Sequence, residues 1–195
     1  MNWSDLVASV ITIAEGAGAE TLRLYKSDTL QVDSKSDDSP VSAADLAAHH
    51  YIMDRLEGLI AGVEVISEES AEARGFEAPT GDRFWLVDPL DGTKEFINQR
   101  DEFTVNIALI EHGRPVMGVV VAPALGQTWA GSPEQAIKQD VGGENRRDIK
   151  VRDVPPAGLT VTASRSHADP AALEALLTGQ KVNEVINAGS SLKFC

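Results

Sequence analysis

A short apolar run that ends in two aspartates constrains this chain more than any other feature of its sequence. Residues 84–87 read Phe-Trp-Leu-Val, which is typical of a fully buried strand. Asp88 follows directly, and Pro89 cannot donate to a strand ladder, so the strand is expected to end there. Asp91 and Gly92 then predict a tight turn in which Gly92 takes a positive φ. Two carboxylates are therefore expected at the carboxyl end of a buried strand, where α/β proteins commonly place ligand sites.

A second acidic pair, Glu68 and Glu69, follows another short apolar strand in the same way. Carboxylates that converge from two strand ends repel one another unless they are protonated or neutralised by a cation. Oxygen ligands alone suit a hard divalent ion, and Mg²⁺ with several retained waters fits best. The sequence therefore predicts a metal site at Asp88, Asp91 and the Glu68–Glu69 pair, to which the Leu90 carbonyl could add an oxygen. Turn chemistry before glycine would explain Asp91 but not the whole set.

The spacing of apolar residues predicts a mixed α/β fold with layers of helix and sheet. An amphipathic helix is predicted over 3–26, with Ser4 as its N-cap. Ser42-Ala43-Ala44-Asp45 has the form of a capping box and predicts a helix that runs to about Leu59. The other predicted elements are a strand at 63–66, an antiparallel meander at 104–131, a polar surface loop at 140–150, strands at 159–163 and 182–187, a helix at 169–178 and the beginning of a helix at 190–195.

The run Pro155-Pro156-Ala157-Gly158 is the best internal boundary. It predicts an α+β half at 1–154, which carries the metal site, and the start of a second α/β half at 155–195. The second half is expected to be incomplete, because the chain halts inside a predicted element.

Charge and cysteine content exclude several classes of protein. The chain has 17 Lys and Arg against 30 Asp and Glu, a net charge of −13, which argues against nucleic acid as a partner. A phosphorylated substrate is not excluded, since bound metal ions reverse the local field. The single cysteine, Cys195, excludes a disulfide scaffold and a cysteine zinc site. With no apolar run near the ~20 residues of a membrane span and no signal-peptide start, a cytoplasmic location is predicted; peripheral contact with the inner membrane stays open.

Three segments, taken in order, resemble the lithium-sensitive, Mg²⁺-dependent phosphatases of the fructose-1,6-bisphosphatase/inositol-monophosphatase superfamily. They are P-V-S-A-A-D at 40–45, S-E-E-S at 67–70 and W-L-V-D-P-L-D-G-T at 85–93. The extension K-E-F-I at 94–97 and the run E-F-T-V-N-I-A-L at 102–109 look most like the bacterial 3'(2'),5'-bisphosphate nucleotidases. The resemblance covers essentially the whole chain and implies an alternating α-β-α-β-α layered sandwich.

The resemblance also implies a role for individual residues. The implied metal ligands are Glu68, Asp88, Asp91 and the Leu90 carbonyl, and the implied catalytic residues are Glu68, Thr93 and Asp45. The implied contacts to the scissile phosphate are Leu90, Asp91, Gly92 and Thr93. The implied contacts to the nucleotide are Ser164, His167, Gly189 and Lys193. Asp45 would polarise Thr93, which with Glu68 positions the attacking water, and metal ions neutralise the phosphate and activate that water. Simpler roles stay open, namely helix capping for Asp45 and His167 and an ordinary loop position for Lys35, which the resemblance places near the site.

The implied reaction is removal of the 3'-phosphate of adenosine 3',5'-bisphosphate to leave AMP, which in the family clears a by-product of sulfate assimilation. Three alternatives stay open: an inositol-monophosphatase-like enzyme, a haloacid-dehalogenase-type phosphatase, and an inactive protein that binds metal or nucleotide. The D-G-T motif also occurs in the dehalogenase type, but there the two acids are spaced differently. Whether the protein is a monomer or a homodimer is also open.

The family pattern continues to a W-D-x-A-A segment whose Asp completes a second metal site. Since none of Trp3, Trp85 and Trp129 precedes an aspartate, the chain is expected to be C-terminally truncated. Such a form is expected to bind Mg²⁺ weakly and hydrolyse slowly.

Overall fold

The computed structural model describes residues 2–25, 40–70, 79–166 and 168–195. The mixed α/β fold contains a seven-stranded sheet with strands in sequence order and a separate two-stranded sheet. The helices are α1 Trp3–Leu24, α2 Pro40–Leu56, α3 Thr93–Ile97 and α4 Pro170–Leu177, with 3-10 turns at Pro123–Leu125 and Ser190–Phe194. The strands are β1 Glu64–Ser67, β2 Arg83–Asp91, β3 Thr104–Glu111, β4 Arg114–Ala122, β5 Gln127–Gly131, β6 Ala136–Asp140, β7 Arg147–Asp148, β8 Leu159–Ser164 and β9 Val182–Ala188. No helix in these ranges is long and apolar enough to cross a membrane.

Helix α1 is confirmed as amphipathic, but its cap differs from the prediction. The side chain of Asn2, not Ser4, is the N-cap, and it accepts hydrogen bonds from the amides of Ser4 and Asp5. An asparagine at this position satisfies amides that the helix itself leaves unpaired, so it outcompetes a serine two residues later. The helix ends at Leu24, where Tyr25 takes an extended conformation.

Helix α2 begins at Pro40, so the capping box predicted at Ser42 is wrong. Proline is favoured at the first position of a helix because its φ is already fixed and its missing N–H is not needed there. Asp45 consequently lies beyond the first turn, and the capping role left open for it is wrong as well. The helix ends at Leu56 rather than Leu59, and Gly58 follows with a φ of 84°.

The seven-stranded sheet is antiparallel except for its first pair. Strands β1 and β2 run parallel, and each later strand pairs antiparallel with the one before it. The predicted meander is confirmed by β3, β4 and β5. Strand β6 was missed and β7 lies inside the predicted surface loop, because polar residues dominate both; in β6 the buried Gln139 donates to Glu15 of α1.

The second sheet pairs β8 with β9 in parallel, and α4 connects them. These elements confirm the strands and the helix predicted after residue 158. The predicted helix at 190–195 is a 3-10 turn over Ser190–Phe194. The division of the chain into two halves stays a prediction.

The main core lies between α1, α2 and one face of the seven-stranded sheet. Trp85 is fully buried in it as predicted, whereas Phe84 is only partly buried because alternate residues of β2 point to opposite faces. A second cluster, here called the aromatic cluster, consists of Tyr25, Ala44, Leu90, Phe96 and Phe103. Its three rings have centroids 4.8–5.2 Å apart. This cluster packs directly beneath the turn that carries the two aspartates.

Candidate active site

The parallel pairing of β1 and β2 brings two acidic strand ends to the same edge of the sheet. Ser67 pairs with Val87, so the next residues, Glu68 after the end of β1 and Asp88 within β2, lie side by side. The pKa of Asp88 is raised from 3.8 to about 7, first by burial and then by the charges of Glu68 and Asp91. The structure therefore brings together the three carboxylates that the sequence placed at one metal site.

Helix α2 contributes a further carboxyl group to this cluster. Burial and the neighbouring charges of Glu69, Asp88 and Glu68 raise the pKa of Asp45 from 3.8 to about 8. Asp45 also shares a hydrogen bond with Glu69. The hydrogen bonds of the described residues include none between Asp45 and Thr93, so the polarising role of Asp45 stays a prediction. These side chains, Asp45, Glu68, Glu69, Asp88 and Asp91, are called the acidic cluster below.

The acidic cluster has the chemistry of a hard-cation site. Oδ1 of Asp45 and Oδ1 of Asp88 are buried and accept no hydrogen bond within the described ranges. Buried carboxylate oxygens that face other carboxylates are stable only when protonated or beside a cation. In the part of the chain that is described, no group of three or more His, Cys, Asp or Glu side chains is already arranged to hold a metal ion. Mg²⁺ itself is usually held by one or two carboxylates, while water and phosphate complete its shell.

The turn from Asp88 to Asp91 differs from the prediction in one respect. Strand β2 does not end at residue 87 but continues to Asp91 through an irregularity in its pairing with β3. The missing N–H of Pro89 accounts for the irregularity without ending the strand. The amide of Leu90 donates to the Asp88 carboxylate, and its side chain is only 2% exposed within the aromatic cluster. The packing of the Leu90 side chain and the hydrogen bond from the Leu90 amide to Asp88 thus fix the shape of this turn.

Gly92 has the positive φ predicted for it, 93°, and α3 begins at the next residue, Thr93. A Cβ atom on Gly92 would lie 3.1 Å from Cβ of Ser190 and 3.3 Å from the carbonyl oxygen of Glu102. Both the conformation and the lack of space therefore require glycine here. The amides in the first turn of a helix have no acceptor within the helix. They can therefore donate to a phosphate, as the predicted phosphate contact at Gly92 and Thr93 requires.

A cleft of about 270 Å³ lies beside this turn. It contains three of the predicted phosphate contacts, Asp91, Gly92 and Thr93, and three of the predicted nucleotide contacts, Ser164, Gly189 and Lys193. Its lining residues are Asp91, Gly92, Thr93, Lys94, Glu95, Ser164, Ser166, Gly189, Ser190 and Lys193. His167 and Lys35 lie outside the described residues.

An ion pair joins the two walls of the cleft. Nε and Nη2 of Arg165 donate to the two carboxylate oxygens of Glu102 at 2.9 and 2.6 Å. The amide of Gly189 donates to the same carboxylate at 2.8 Å. These bonds hold the pKa of Glu102 below its usual value, with the Arg165 hydrogen bond as the largest cause. The loop after α3 is thereby tied to the ends of both β8 and β9.

A second contact across the cleft is formed by Glu95, which is 4% exposed, and Ser166. The Ser166 hydroxyl donates to Oε1 of Glu95 at 2.9 Å. A Cβ on Gly189 would lie 2.6 Å from Cγ of Glu95, so only glycine fits at that position. None of Glu95, Glu102, Arg165 and Ser166 was identified as a site residue from the sequence.

Strand β3 supplies two residues that the sequence analysis also missed. Asn106 pairs with Asp88 and Thr104 with Asp91 across the β2–β3 ladder. The spacing of Thr104 and Asn106, two residues apart in the run 102–109, could have identified them. Residues two apart in a strand lie on the same face, here the face of β3 that carries the partners of Asp88 and Asp91. His49 of α2 lies with Nδ1 2.8 Å from the hydroxyl of Ser67, directly before Glu68.

Comparison with known proteins agrees with this geometry. The pattern of the inositol monophosphatase family matches residues 2–195. The chain is 45% identical over 192 residues to the 3'(2'),5'-bisphosphate nucleotidase CysQ of Escherichia coli strain K12, an alignment that covers 97% of this chain and 75% of that protein. It is 36% identical over 195 residues to the CysQ nucleotidase of Buchnera aphidicola, with 99% and 71% covered.

Solved structures of this family share the fold of the chain. CysQ from Bacteroides thetaiotaomicron, a bacterial member of the inositol monophosphatase family, superimposes with a TM-score of 0.82 at 32% identity, covering all of this chain and 76% of the other. An inositol monophosphatase from Zymomonas mobilis superimposes with a TM-score of 0.74 at 26% identity, covering 98% and 71%.

Proposed function

Because the chain belongs to the inositol monophosphatase family and is a phosphatase of the bisphosphate nucleotidase kind, we propose a specific reaction for it. The proposed reaction is the Mg²⁺-dependent hydrolysis of the 3'-phosphate of adenosine 3',5'-bisphosphate, which yields AMP and inorganic phosphate. One observation carries the proposal. An acidic cluster whose buried carboxyl groups are stable only when protonated or beside a cation adjoins a cleft lined by the Gly92–Thr93 turn and by lysines.

Each part of the site has a proposed task in this reaction. Asp88 and Asp91, with Glu68 and the carbonyl of Leu90, would hold Mg²⁺, which neutralises phosphate charge and lowers the pKa of water when it is bound. The hydroxyl of Thr93 and the first amides of α3 would receive the scissile phosphate. Glu68, exposed at the end of β1, would accept a proton from the attacking water.

The opposite wall of the cleft would hold the rest of the substrate. Ser164 and Gly189 would contact the nucleoside monophosphate portion, and Lys193 would face its 5'-phosphate. Lys193 and Lys94 are cations that line the cleft in a chain whose net charge is −13. Their position at the cleft supports a doubly phosphorylated substrate, because a strongly acidic protein otherwise repels such a molecule.

The test is phosphate release from adenosine 3',5'-bisphosphate and from inositol 1-phosphate, assayed side by side with Mg²⁺ and with excess chelator. We expect faster phosphate release from the nucleotide and loss of release in chelator. We also expect at least a hundredfold lower kcat for Asp88→Asn, since each metal-stabilised charge contributes ~3 kcal/mol or more. Asp54→Asn, an exposed aspartate of α2, is the matched control and is expected to retain full activity. Faster release from inositol 1-phosphate, or unchanged turnover in chelator, would overturn the proposal.

A further inference from the structure

We propose that Ser190 is a positioning residue for the cation site: its hydroxyl fixes the orientation of the Asp91 carboxylate. The inference rests on the proposed function in one respect, namely that Asp91 binds the cation. Ser190 Oγ donates to Oδ2 of Asp91 at 2.6 Å, although 99 positions separate the two residues. It is the first residue of the 3-10 turn that forms one wall of the cleft. The hydrogen bond therefore joins the cation site to the wall that faces the substrate.

The backbone of Ser190 has an unfavourable conformation. Its φ is 52°, in the left-handed region that is unfavourable for a residue with a Cβ. The preceding residue is a glycine, yet Gly189 has an ordinary φ of −81°. The left-handed position is thus occupied by a serine beside a glycine that could have adopted it freely. This arrangement implies that the serine hydroxyl compensates for the strain.

Close packing leaves Ser190 little room to move. Its Cβ lies against Gly92, where an added Cβ would approach it to 3.1 Å. Oγ of Ser190 also lies 2.6 Å from Oγ1 of Thr104, which is fully buried. The hydroxyl is therefore held between the Asp91 carboxylate and the β3 strand.

The donors and acceptors around Ser190 form a directional chain. An ionised carboxylate only accepts hydrogen bonds, so Ser190 donates to Asp91 and must accept from Thr104. Thr104 in turn accepts from the side-chain amide of Asn106 at 3.2 Å. Each hydrogen bond in such a chain polarises the next, which strengthens the last one. Oδ2 of Asp91 is engaged by this chain, and Oδ1 is left to face the cation.

The experiment measures Mn²⁺ binding by the purified chain, by calorimetry and by the paramagnetic resonance of free Mn²⁺, which favours the same oxygen ligands as Mg²⁺. We expect Ser190→Ala to weaken Mn²⁺ binding by about tenfold, the usual effect of removing a hydrogen bond to a metal ligand. Ser191→Ala is the matched control, because the Ser191 hydroxyl contacts Thr104 and Asn106, the far members of the chain, and within the described ranges has no hydrogen bond with Asp91. Its affinity for Mn²⁺ is expected to stay within about twofold of the parent value.

Ser190→Gly separates the hydroxyl from the strained backbone. Glycine adopts the left-handed conformation freely, so this variant is expected to melt at a higher temperature than Ser190→Ala while binding Mn²⁺ equally weakly. Parent-like Mn²⁺ affinity in Ser190→Ala, or equal weakening in Ser191→Ala, would overturn the inference alone. A parent chain that binds no Mn²⁺ would overturn both the inference and the proposed function. If the variants change Mn²⁺ affinity as expected but the parent chain does not hydrolyse the nucleotide, only the proposed function is overturned.

Discussion

When no cation is beside them, Asp45 and Asp88 hold their protons to a higher pH than ordinary aspartates, since burial and neighbouring carboxylates raise their pKa values to about 8 and about 7. Both ionise near 3.8 when they are not perturbed. Between that value and the raised values, the folded chain binds more protons than the unfolded chain. The free energy of unfolding therefore falls as the pH rises through this window.

The first prediction concerns this pH dependence. In chelator, the melting temperature followed by circular dichroism is expected to fall steadily from about pH 5 to about pH 8. With millimolar Mg²⁺ the decline is expected to be much smaller, because a bound cation takes the place of the protons and stabilises only the folded chain. An identical pH profile with and without Mg²⁺ would contradict the assignment of these carboxylates to a cation site.

The second prediction concerns the charge of a single residue. Asp88→Asn removes one charge from the acidic cluster, so we expect the melting temperature in chelator at about pH 8 to rise by about 2–4 °C for each kcal/mol of repulsion relieved. The same variant is expected to lose most of the stabilisation that Mg²⁺ gives the parent chain. Asp54→Asn controls for the general effect of one charge less, and a similar rise in that variant would remove the support for local repulsion.

Among the elements, the Glu102–Arg165 pair joins the loop after α3 to the ends of β8 and β9. Ion pairs at partly exposed positions usually contribute ~0–1 kcal/mol to folding. The Glu102 carboxylate also accepts from the Gly189 amide, so its main effect is expected on the shape of the cleft rather than on stability.

The third prediction follows from that role. Glu102→Gln is expected to raise KM for the nucleotide about tenfold, equivalent to about 1.4 kcal/mol, with kcat changed far less. Steady-state kinetics and a melting curve of the same sample provide the check. Glu111→Gln breaks the Arg83–Glu111 pair between β2 and β3 and is the control, with KM expected to stay unchanged. Equal KM values for the two variants would show that the Glu102 pair does not shape the cleft.

The acidic strand ends could be predicted from the sequence because they depend on local features. An apolar run followed by Asp-Pro and Asp-Gly is a short-range signal, and the register of β1 with β2 then brings Glu68 beside Asp88. The ion pair and Ser190 depend instead on contacts between segments 63 and 99 positions apart. The resemblance marked neighbouring residues as nucleotide contacts, but these long-range partners are visible only in the fold. Strand β6 was missed for a related reason, since its buried Gln139 is explained only by Glu15 of α1.

At the scale of the whole molecule, the seven-stranded sheet is covered on one face by α1 and α2. Its other face, here called the outer face, carries Leu86, Ala108 and Val120 around a largely apolar pocket of about 410 Å³. Leu86 is 46% exposed, whereas the next residue, Val87, is 2% exposed in the core. An exposed apolar surface of this kind attracts hydrophobic molecules.

The fourth prediction tests the outer face. Leu86→Thr is expected to reduce the fluorescence of a bound hydrophobic dye, with the melting temperature kept within about 2 °C, because little buried area is lost. Val87→Thr places a hydroxyl in the core instead and is expected to cost about 1–3 kcal/mol. Dye fluorescence and chemical denaturation distinguish the two outcomes. Unchanged dye binding in Leu86→Thr would mean that the dye binds elsewhere.

The distance in sequence between Asp91 and Ser190 also matters while the chain is being synthesised. The acidic turn and its β3 partner have emerged by residue 106, but Ser190 follows roughly 80 residues later, several seconds at a ribosomal rate of ~5–20 residues per second. Throughout that delay the carboxylate of Asp91 lacks its distant hydroxyl partner. The orientation of Asp91 that Ser190 is proposed to fix is therefore established only after the turn at Ser190–Phe194 has been synthesised.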